Sequence, residues 1–351
     1  MDITLCNASA FTYYRIPPQI LSLYPALHLQ ERDSNYTKFA KQPLIEDLVT
    51  PPLHRMAFSR NQRASRNLFL SHLMLQEPPP GSFRETEHGF GVTSPELTLL
   101  NLATSVSRVQ LLMAAYELCG AFAVFSPCER AEGQLNEAIR HRLLPQAYGW
   151  ERVASTGGGA TNLWKREPLV TVDSLRRYAD QASGLRGVKA LRWVAERLTG
   201  VTASPFEVEA SILLSLPRKE GGLGLTVQNN VRIPLSAAAQ ALYGRTCCYA
   251  DILLESQTNS RGIIFECQGR SAHASEAAGI SDSDRATALA RMGYDVILVT
   301  HSQIKHERSF AELAKLLYSK MGIPYIPKTA SELEAERALR HELFIDWETL
   351  I

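Results

Sequence analysis

The stretch that decides the fold, residues 247–300, reads CCYADILLESQTNSRGIIFECQGRSAHASEAAGISDSDRATALARMGYDVILVT. It contains two apolar, β-prone runs, Cys248–Leu254 and Gly262–Gln268, on either side of a polar link at Glu255–Arg261. Such a pattern predicts two antiparallel strands joined by a loose hairpin.

Each of these predicted strands carries one acid in apolar surroundings, Asp251 in the first and Glu266 in the second. If the link is centred near Thr258 and Asn259, cross-strand partners have residue numbers that sum to about 517, which pairs Asp251 with Glu266. Directly opposed residues have Cβ atoms about 4.5–5.5 Å apart on one face of the sheet. Gln268 lies two residues beyond Glu266 and shares that face. A slip of one residue in register breaks the pairing.

Two opposed carboxylates on an apolar sheet repel each other unless a cation or a shared proton neutralises them. Mg²⁺ takes oxygen ligands, typically one or two carboxylates together with carbonyls and waters. The pattern therefore predicts a site for Mg²⁺ or Mn²⁺ made by Asp251, Glu266 and the backbone carbonyl of Cys267. The alternative is that the register misses and one acid lies at a strand end in solvent.

These residues resemble the PD-(D/E)XK nuclease superfamily, in which an Asp, a short hairpin and E-x-(K/D/Q) precede a helix and a strand. More narrowly, they resemble very-short-patch-repair-like endonuclease domains that follow abortive-infection antitoxin-like regions in many bacteria. The matching positions beyond Glu266 are Gly269, His273, Asp282, Arg285, Gly293, Tyr294, Val296 and Thr300. The resemblance runs from Ala203 to Thr300. It departs at Gln268, where the narrower group carries an acid and other members carry Lys.

The resemblance implies an α/β fold: a restriction-endonuclease-like αβββαβ core, which is a mixed sheet flanked by helices, behind an N-terminal α+β domain. It implies hydrolysis of DNA with Mg²⁺ or Mn²⁺ held by Asp251 and Glu266. Gln268 has no charge to offer the transition state, but its amide is expected to orient the attacking water. His273 is expected to transfer a proton or bind phosphate, and its alternative is an exposed loop histidine.

A helix is predicted to begin at Ser204-Pro205-Phe206-Glu207, a capping box. In the superfamily an acid on the first core helix reaches the metal directly or through water, and Glu207 occupies that place. Capping the helix is a sufficient local role for Glu207, so both interpretations stand. Glu209 is predicted to lie on a different, exposed face.

Four arginines are the candidate contacts to nucleic acid. Two belong to the nuclease-like region, Arg285 on the helix after the site and Arg270 next to the second strand. The other two, Arg63 and Arg66, belong to the most basic cluster of the chain, and the alternative for that cluster is a solvated face. Its remaining members are Arg55, Arg60, His54 and His72.

The length of 351 residues favours two domains, and the formal net charge of +1 gives no bulk sign of nucleic-acid binding. The predicted organisation is an antitoxin-like α+β domain at 1–170, a helical linker region at 171–202 and the nuclease-like domain at 203–351. There is no signal-peptide pattern and no long apolar run, and the six cysteines lack zinc spacing. A reduced, cytoplasmic protein without a membrane segment is expected.

Outside the deciding stretch the patterns are weaker. The Pro-rich residues 1–92 predict short strands and loops, and Gly157–Gly159 predicts a flexible loop because the ending of a phosphate-binding motif is missing. Ser281 is predicted to cap the helix that follows the second strand. Ser331 and Glu334 are predicted to open the last helix with a capping box.

A second functional class competes with the nuclease. It is an antitoxin-like or regulatory module whose nuclease-like core binds nucleic acid or a protein, such as a cognate toxin, without cutting. Gln268 and the nearly neutral charge favour it. The retention of Asp251 and Glu266 in apolar strands favours the nuclease, since unused buried acids cost stability.

Overall fold

The computed structural model describes residues 3–25, 36–62, 68–141, 143, 149–155, 160–268 and 276–351. Within the helices, the side chains of 36–37 and 276–282 are outside this description. None of the described helices is both long enough and apolar enough to cross a membrane.

The chain is a mixed α/β protein with three sheets flanked by helices. The helices are α1 (Asn7–Arg15), α2 (Pro18–Leu21), α3 (Tyr36–Ala40), α4 (Pro95–Leu102), α5 (Arg108–Cys119), α6 (Glu129–Arg140), α7 (Val172–Gln181), α8 (Val188–Arg197), α9 (Pro205–Ser215), α10 (Ala237–Tyr243), α11 (Glu276–Arg291), α12 (His301–Lys305), α13 (Glu307–Met321) and α14 (Ala330–Leu343). The strands are β1 (Thr4–Leu5), β2 (Leu53–Ala57), β3 (Phe69–Leu73), β4 (Phe83–Glu85), β5 (Gly91–Thr93), β6 (Phe122–Val124), β7 (Glu151–Ala154), β8 (Ala160–Lys165), β9 (Val227–Pro234), β10 (Cys247–Leu254), β11 (Ile263–Gln268) and β12 (Asp295–Thr300).

Two compact units divide the chain. The first contains residues 1–151, 162–198 and 348–351, and the second contains 152–161 and 199–347. Helices α7 and α8, which fall in the predicted linker region, belong to the first unit.

The first unit is built on a five-stranded sheet with the order β3-β2-β1-β5-β4. Helix α1 packs against β2 and α4. Because strands and loops were expected throughout residues 1–92, α1 corrects that expectation. No side chain caps α1, and Phe11 is almost completely buried. Tertiary packing, rather than a local signal, therefore stabilises this helix.

The second unit is built on a four-stranded sheet with the order β12-β11-β10-β9. Strand β10 is antiparallel to both β9 and β11, whereas β11 is parallel to β12. In the β10–β11 ladder, Ile252 pairs with Phe265 and Leu253 with Ile264, so the predicted register is confirmed. The helix α11 makes the crossover between the two parallel strands, as a parallel connection requires.

An apolar cluster joins this sheet to α10 and α11. Its buried members include Ile264 on β11, Ala250 on β10 and Leu289 on α11. Burial of these side chains fixes α11 against the sheet. As a result, Glu266 on β11 and Arg285 on α11 meet at one end of the cluster.

Two helix starts differ from the sequence predictions. Helix α11 begins at Glu276, so Ser281 lies inside the helix and does not cap it. Helix α14 is opened by a capping box of Thr329 and Glu332, two residues before the predicted Ser331 and Glu334. In both places several Ser, Thr, Asp or Glu residues stand close together, and the local sequence permits more than one register of the same cap.

Candidate active site

The first helix of the second unit brings Glu207 to the site. Ser204 caps α9, as predicted, by accepting a hydrogen bond from the backbone N–H of Glu207. The Glu207 carboxylate accepts from the N–H of Ala203 at 2.7 Å and from the hydroxyl of Ser204 at 2.9 Å. Both oxygens of Glu207 thus have local donors, and the side chain is still turned toward the cavity described below.

Asp251 is positioned by the neighbouring strand. The backbone N–H of Cys267 donates to Oδ2 of Asp251 at 2.8 Å. The β10–β11 ladder ends at Ile252 and Phe265, and Asp251 and Glu266 are the next residues along the two strands. The strand pairing therefore fixes the carboxylate of Asp251 beside the end of β11.

Glu266 is the most deeply buried acid of the site, with 2% of the residue exposed. Arg285, on α11, donates to Oε2 of Glu266 at 2.5 Å. The other carboxylate oxygen, Oε1, is buried and has no hydrogen-bond partner among the described residues. A buried acceptor without a partner is costly, so this oxygen marks a place where a donor or a cation is expected.

These side chains surround one cavity of about 180 Å³. It brings together six of the residues that the sequence singled out: Glu207, Asp251, Glu266, Cys267, Gln268 and Arg285. The rest of its lining is Ala286, Leu289 and Leu298. Three carboxylates, one amide and one guanidinium therefore share a small space with apolar walls.

The electrostatics of the cavity are dominated by burial and by repulsion between acids. Burial raises the pKa of Glu266 and of Glu207 well above the ordinary glutamate value, and the charge of Asp251 raises both further. Arg285 acts in the opposite direction and lowers the pKa of both. All three acids can be ionised together only if additional positive charge enters the cavity.

Two carboxylates of the cavity, those of Asp251 and Glu266, suit a small divalent cation. Among the described residues, no group of three or more His, Cys, Asp or Glu side chains is arranged to hold a metal ion. Asp251 and Glu266 are a pair, and Mg²⁺ commonly takes one or two carboxylates and keeps several waters. The unpartnered Oε1 of Glu266 is an acceptor of the kind that such an ion uses.

Comparison with protein-family models, with curated proteins and with solved structures gave no match to this chain. What the site does is accordingly argued from its own residues.

Several predicted positions lie outside the described residues: His273, Arg270, Gly269, Arg63, Arg66 and Gly157–Gly159. The side chain of Asp282 is also outside the description. Of the basic cluster in the first unit, Arg55 is buried and donates to the backbone carbonyl of Gln62, whereas Arg60 is exposed.

Glu209 corrects a sequence prediction, because it is 3% exposed and not on a solvated face. Its carboxylate accepts from Nε1 of Trp347 at 3.1 Å and lies 2.9 Å from Nε2 of His301. Periodicity along α9 cannot reveal these partners, because His301 and Trp347 lie 92 and 138 residues further along the chain. Leu298 was likewise missed as a wall of the cavity. Its signal is the parallel register that pairs it with Glu266.

Proposed function

We propose that the second unit is a divalent-cation-dependent phosphodiester hydrolase, an endonuclease that acts on DNA. One observation carries the proposal: Asp251 and Glu266 meet in a cavity where the buried Oε1 of Glu266 has no partner among the described residues. The element order α9, β9, β10, β11, α11, β12, with α10 inserted between β9 and β10, supports it, since the resemblance to PD-(D/E)XK nucleases implies an αβββαβ core.

Asp251 and Glu266 would hold Mg²⁺ or Mn²⁺. Such an ion, when bound, polarises a phosphoryl oxygen and lowers the pKa of a bound water. The Cys267 N–H holds Asp251 in place by its hydrogen bond, so this acid is preorganised in the absence of any ligand. Glu207 adds a third carboxyl group to the cavity while its own oxygens remain held at the helix start.

Gln268 and Arg285 have different tasks in this proposal. The Gln268 amide can both donate and accept, so it can orient a water that attacks phosphorus. The side chain of Arg285 is 25% exposed, which leaves its guanidinium accessible to an incoming phosphate. A positive charge beside Glu266 would weaken the hold of that acid on Arg285, and the arginine could then neutralise the phosphoryl group.

A second candidate function has its own supporting observation. The ion pair between Arg285 and Glu266 already neutralises one acid. A site in which Arg285 already occupies one oxygen of Glu266 suits a module that binds nucleic acid or a protein and does not cut. Gln268, in place of a charged residue, points in the same direction.

The cleavage test uses plasmid and oligonucleotide DNA with Mg²⁺, Mn²⁺ or EDTA. Wild type is compared with Asp251→Asn and Glu266→Gln, and with Glu307→Gln as a control because Glu307 is an exposed acid of the same unit. We expect metal-dependent cutting that falls at least about 100-fold in both site variants and stays unchanged in the control. Binding of DNA by folded wild type without any cutting would contradict the hydrolase and favour the second candidate.

A further inference from the structure

The segment between α9 and the acids of the site has an unusual charge pattern. Residues 221–250 contain no Asp or Glu, and their only fully ionised side chains at neutral pH are Arg232 and Arg245. Asp and Glu make up 36 of the 351 residues, so a segment of this length carries about three on average. The β9–α10–β10 hairpin is therefore locally positive in a chain whose net charge is close to zero.

An exposed aromatic ring stands next to one of these arginines. Tyr249 on β10 pairs with Arg232 on β9 in the antiparallel register. Directly opposed residues share a face and have Cβ atoms about 4.5–5.5 Å apart. Tyr249 is 48% exposed and Arg232 is also exposed. Among the described residues, neither side chain has a hydrogen-bond or ion-pair partner.

The second arginine is held at the other side of the hairpin. The guanidinium of Arg245 lies 5.5 Å from the ring centroid of Tyr243, a cation–π contact. Tyr243 packs on the apolar cluster whose members Cys248 and Ala250 alternate with Tyr249 along β10, so the contact ties Arg245 to the face opposite Tyr249. Arg245 itself is exposed and precedes β10 by two residues.

The distance to the cavity is short. Tyr249 precedes Asp251 by two residues on the same strand, which corresponds to about 7 Å along β10. Asp251 lines the cavity. A nucleic-acid strand that contacts Arg232 and Tyr249 would therefore lie within a short span of the carboxylates.

We propose that Tyr249 and Arg232, here called the Tyr249 platform, bind single-stranded nucleic acid and lead it to the cavity. This proposal rests on the proposed function and names its substrate class, unpaired nucleotides next to the bond that is cut. A base stacks on the exposed Tyr249 ring only when the face of the base is free, whereas Arg232 contacts phosphates of any sequence. Paired bases in an intact duplex do not present that face.

Binding is measured in EDTA, so that no cutting is required. Fluorescence anisotropy of full-length protein follows three labelled probes: a twelve-nucleotide oligo-dT, the matching oligo-rU and a twelve-base-pair duplex. Unlabelled poly-glutamate serves as a competitor that offers charge without bases. The DNA and RNA arms show which sugar is preferred, and the platform is supported by Tyr249-dependent binding of either one.

The variants separate stacking from charge. Tyr249→Ala should weaken binding to the single strand about 5- to 150-fold, whereas Tyr249→Phe should stay within about twofold because the ring is kept. Arg232→Gln should lower the slope of log affinity against log salt by about 0.7, the value of one released phosphate contact. Arg308→Gln, an exposed arginine on α13, is the matched control and should change neither quantity.

The outcomes also separate this proposal from the hydrolase. Equal binding of the single strand by wild type and Tyr249→Ala overturns the platform, even if wild type cuts DNA. Equal binding of duplex and single strand, or displacement by poly-glutamate as effective as by oligo-dT, overturns it as well. Tyr249-dependent binding in a protein that never cuts leaves the platform standing and contradicts the hydrolase alone.

Discussion

At the scale of single residues, the ion pair with Glu266 holds the Arg285 guanidinium against the acids of the cavity. Glu266 is buried, and its side chain is 3% exposed, against 25% for Arg285. Removing Arg285 leaves Oε2 of this buried carboxyl without its hydrogen-bond donor, which is costly. The same interaction therefore stabilises the unit and restrains the group that we assign to the phosphate.

Replacing Arg285 by Gln should destabilise the second unit by about 1–3 kcal/mol, because the buried carboxyl of Glu266 loses its hydrogen-bond donor. Urea denaturation followed by circular dichroism measures the change. The double variant Arg285→Gln with Glu266→Gln should recover most of the loss. Arg337→Gln is the control, since Arg337 and Glu307 form an exposed pair at 3.9 Å, and its effect should stay below about 1 kcal/mol. Equal losses of unfolding free energy in Arg285→Gln and Arg337→Gln would contradict the role given to the pair of Arg285 and Glu266.

Part of the site could be predicted at this scale and part could not. Asp251 and Glu266 stand out because an acid is unusual in an apolar strand, and that contrast is visible in the sequence. Glu209 was misassigned because its partners, His301 and Trp347, are distant in sequence. The ion pair of Arg285 was missed for a similar reason, since its geometry depends on how α11 docks against the sheet.

At the scale of elements, strand register was the most predictable feature. The polar link between β10 and β11 fixed the centre of the hairpin, and the sum of paired residue numbers followed from it. Helix starts were less predictable. Several candidate caps stand near the start of α14, and the sequence does not rank them. The helix α1 lacked any capping signal, so only its packing identifies it.

Two glycines provide an element-scale test. A Cβ added at Gly222 would lie 2.0 Å from the backbone oxygen of Leu216, so Gly222→Ala should destabilise by about 3 kcal/mol or more. A Cβ at Gly133 meets nothing within 4 Å, and this residue is an exposed interior position of α6. Gly133→Ala should therefore stabilise by up to about 1 kcal/mol. Thermal unfolding distinguishes the two, and a stabilising Gly222→Ala would show that the close approach at Leu216 is wrong.

At the scale of the whole molecule, the two units differ in how much their sequences reveal. The second unit has regular strands, clear turns and a capped first helix, so local patterns and global fold agree. In the first unit the prolines interrupt every periodic run before residue 92, and the sheet is assembled from strands of two to five residues. Such short strands acquire their structure from tertiary contacts, which sequence patterns do not contain.

The pH dependence of stability tests one of those contacts. His54 and His72 stack in the first unit, with Nδ1 of the former 2.8 Å from Nε2 of the latter. Burial, and then the charge of His72, lower the pKa of His54 to about 4. A folded pKa below the unfolded value means that this stability is present above about pH 6.5 and is lost as the pH falls toward 4.

His54→Gln should therefore reduce the loss of unfolding free energy between pH 7 and pH 5 by about 1 kcal/mol, a value discounted for the partial exposure of the ring. Urea denaturation at the two pH values measures it. His141→Gln replaces an exposed histidine of the same unit and should leave the pH dependence unchanged. If His54→Gln and His141→Gln show the same pH dependence of unfolding free energy, the stacked pair of His54 and His72 is not the source of the effect.

The most direct test of the central claim is a calorimetric titration with Mn²⁺, because binding of a cation does not depend on knowing the substrate. We predict that wild type binds one ion, that Asp251→Asn and Glu266→Gln abolish the binding, and that Arg285→Gln tightens it by removing a competing charge from Glu266. Absence of binding by folded wild type and by Arg285→Gln, or equal binding by wild type and Asp251→Asn, would contradict the assignment of these two carboxylates to a metal.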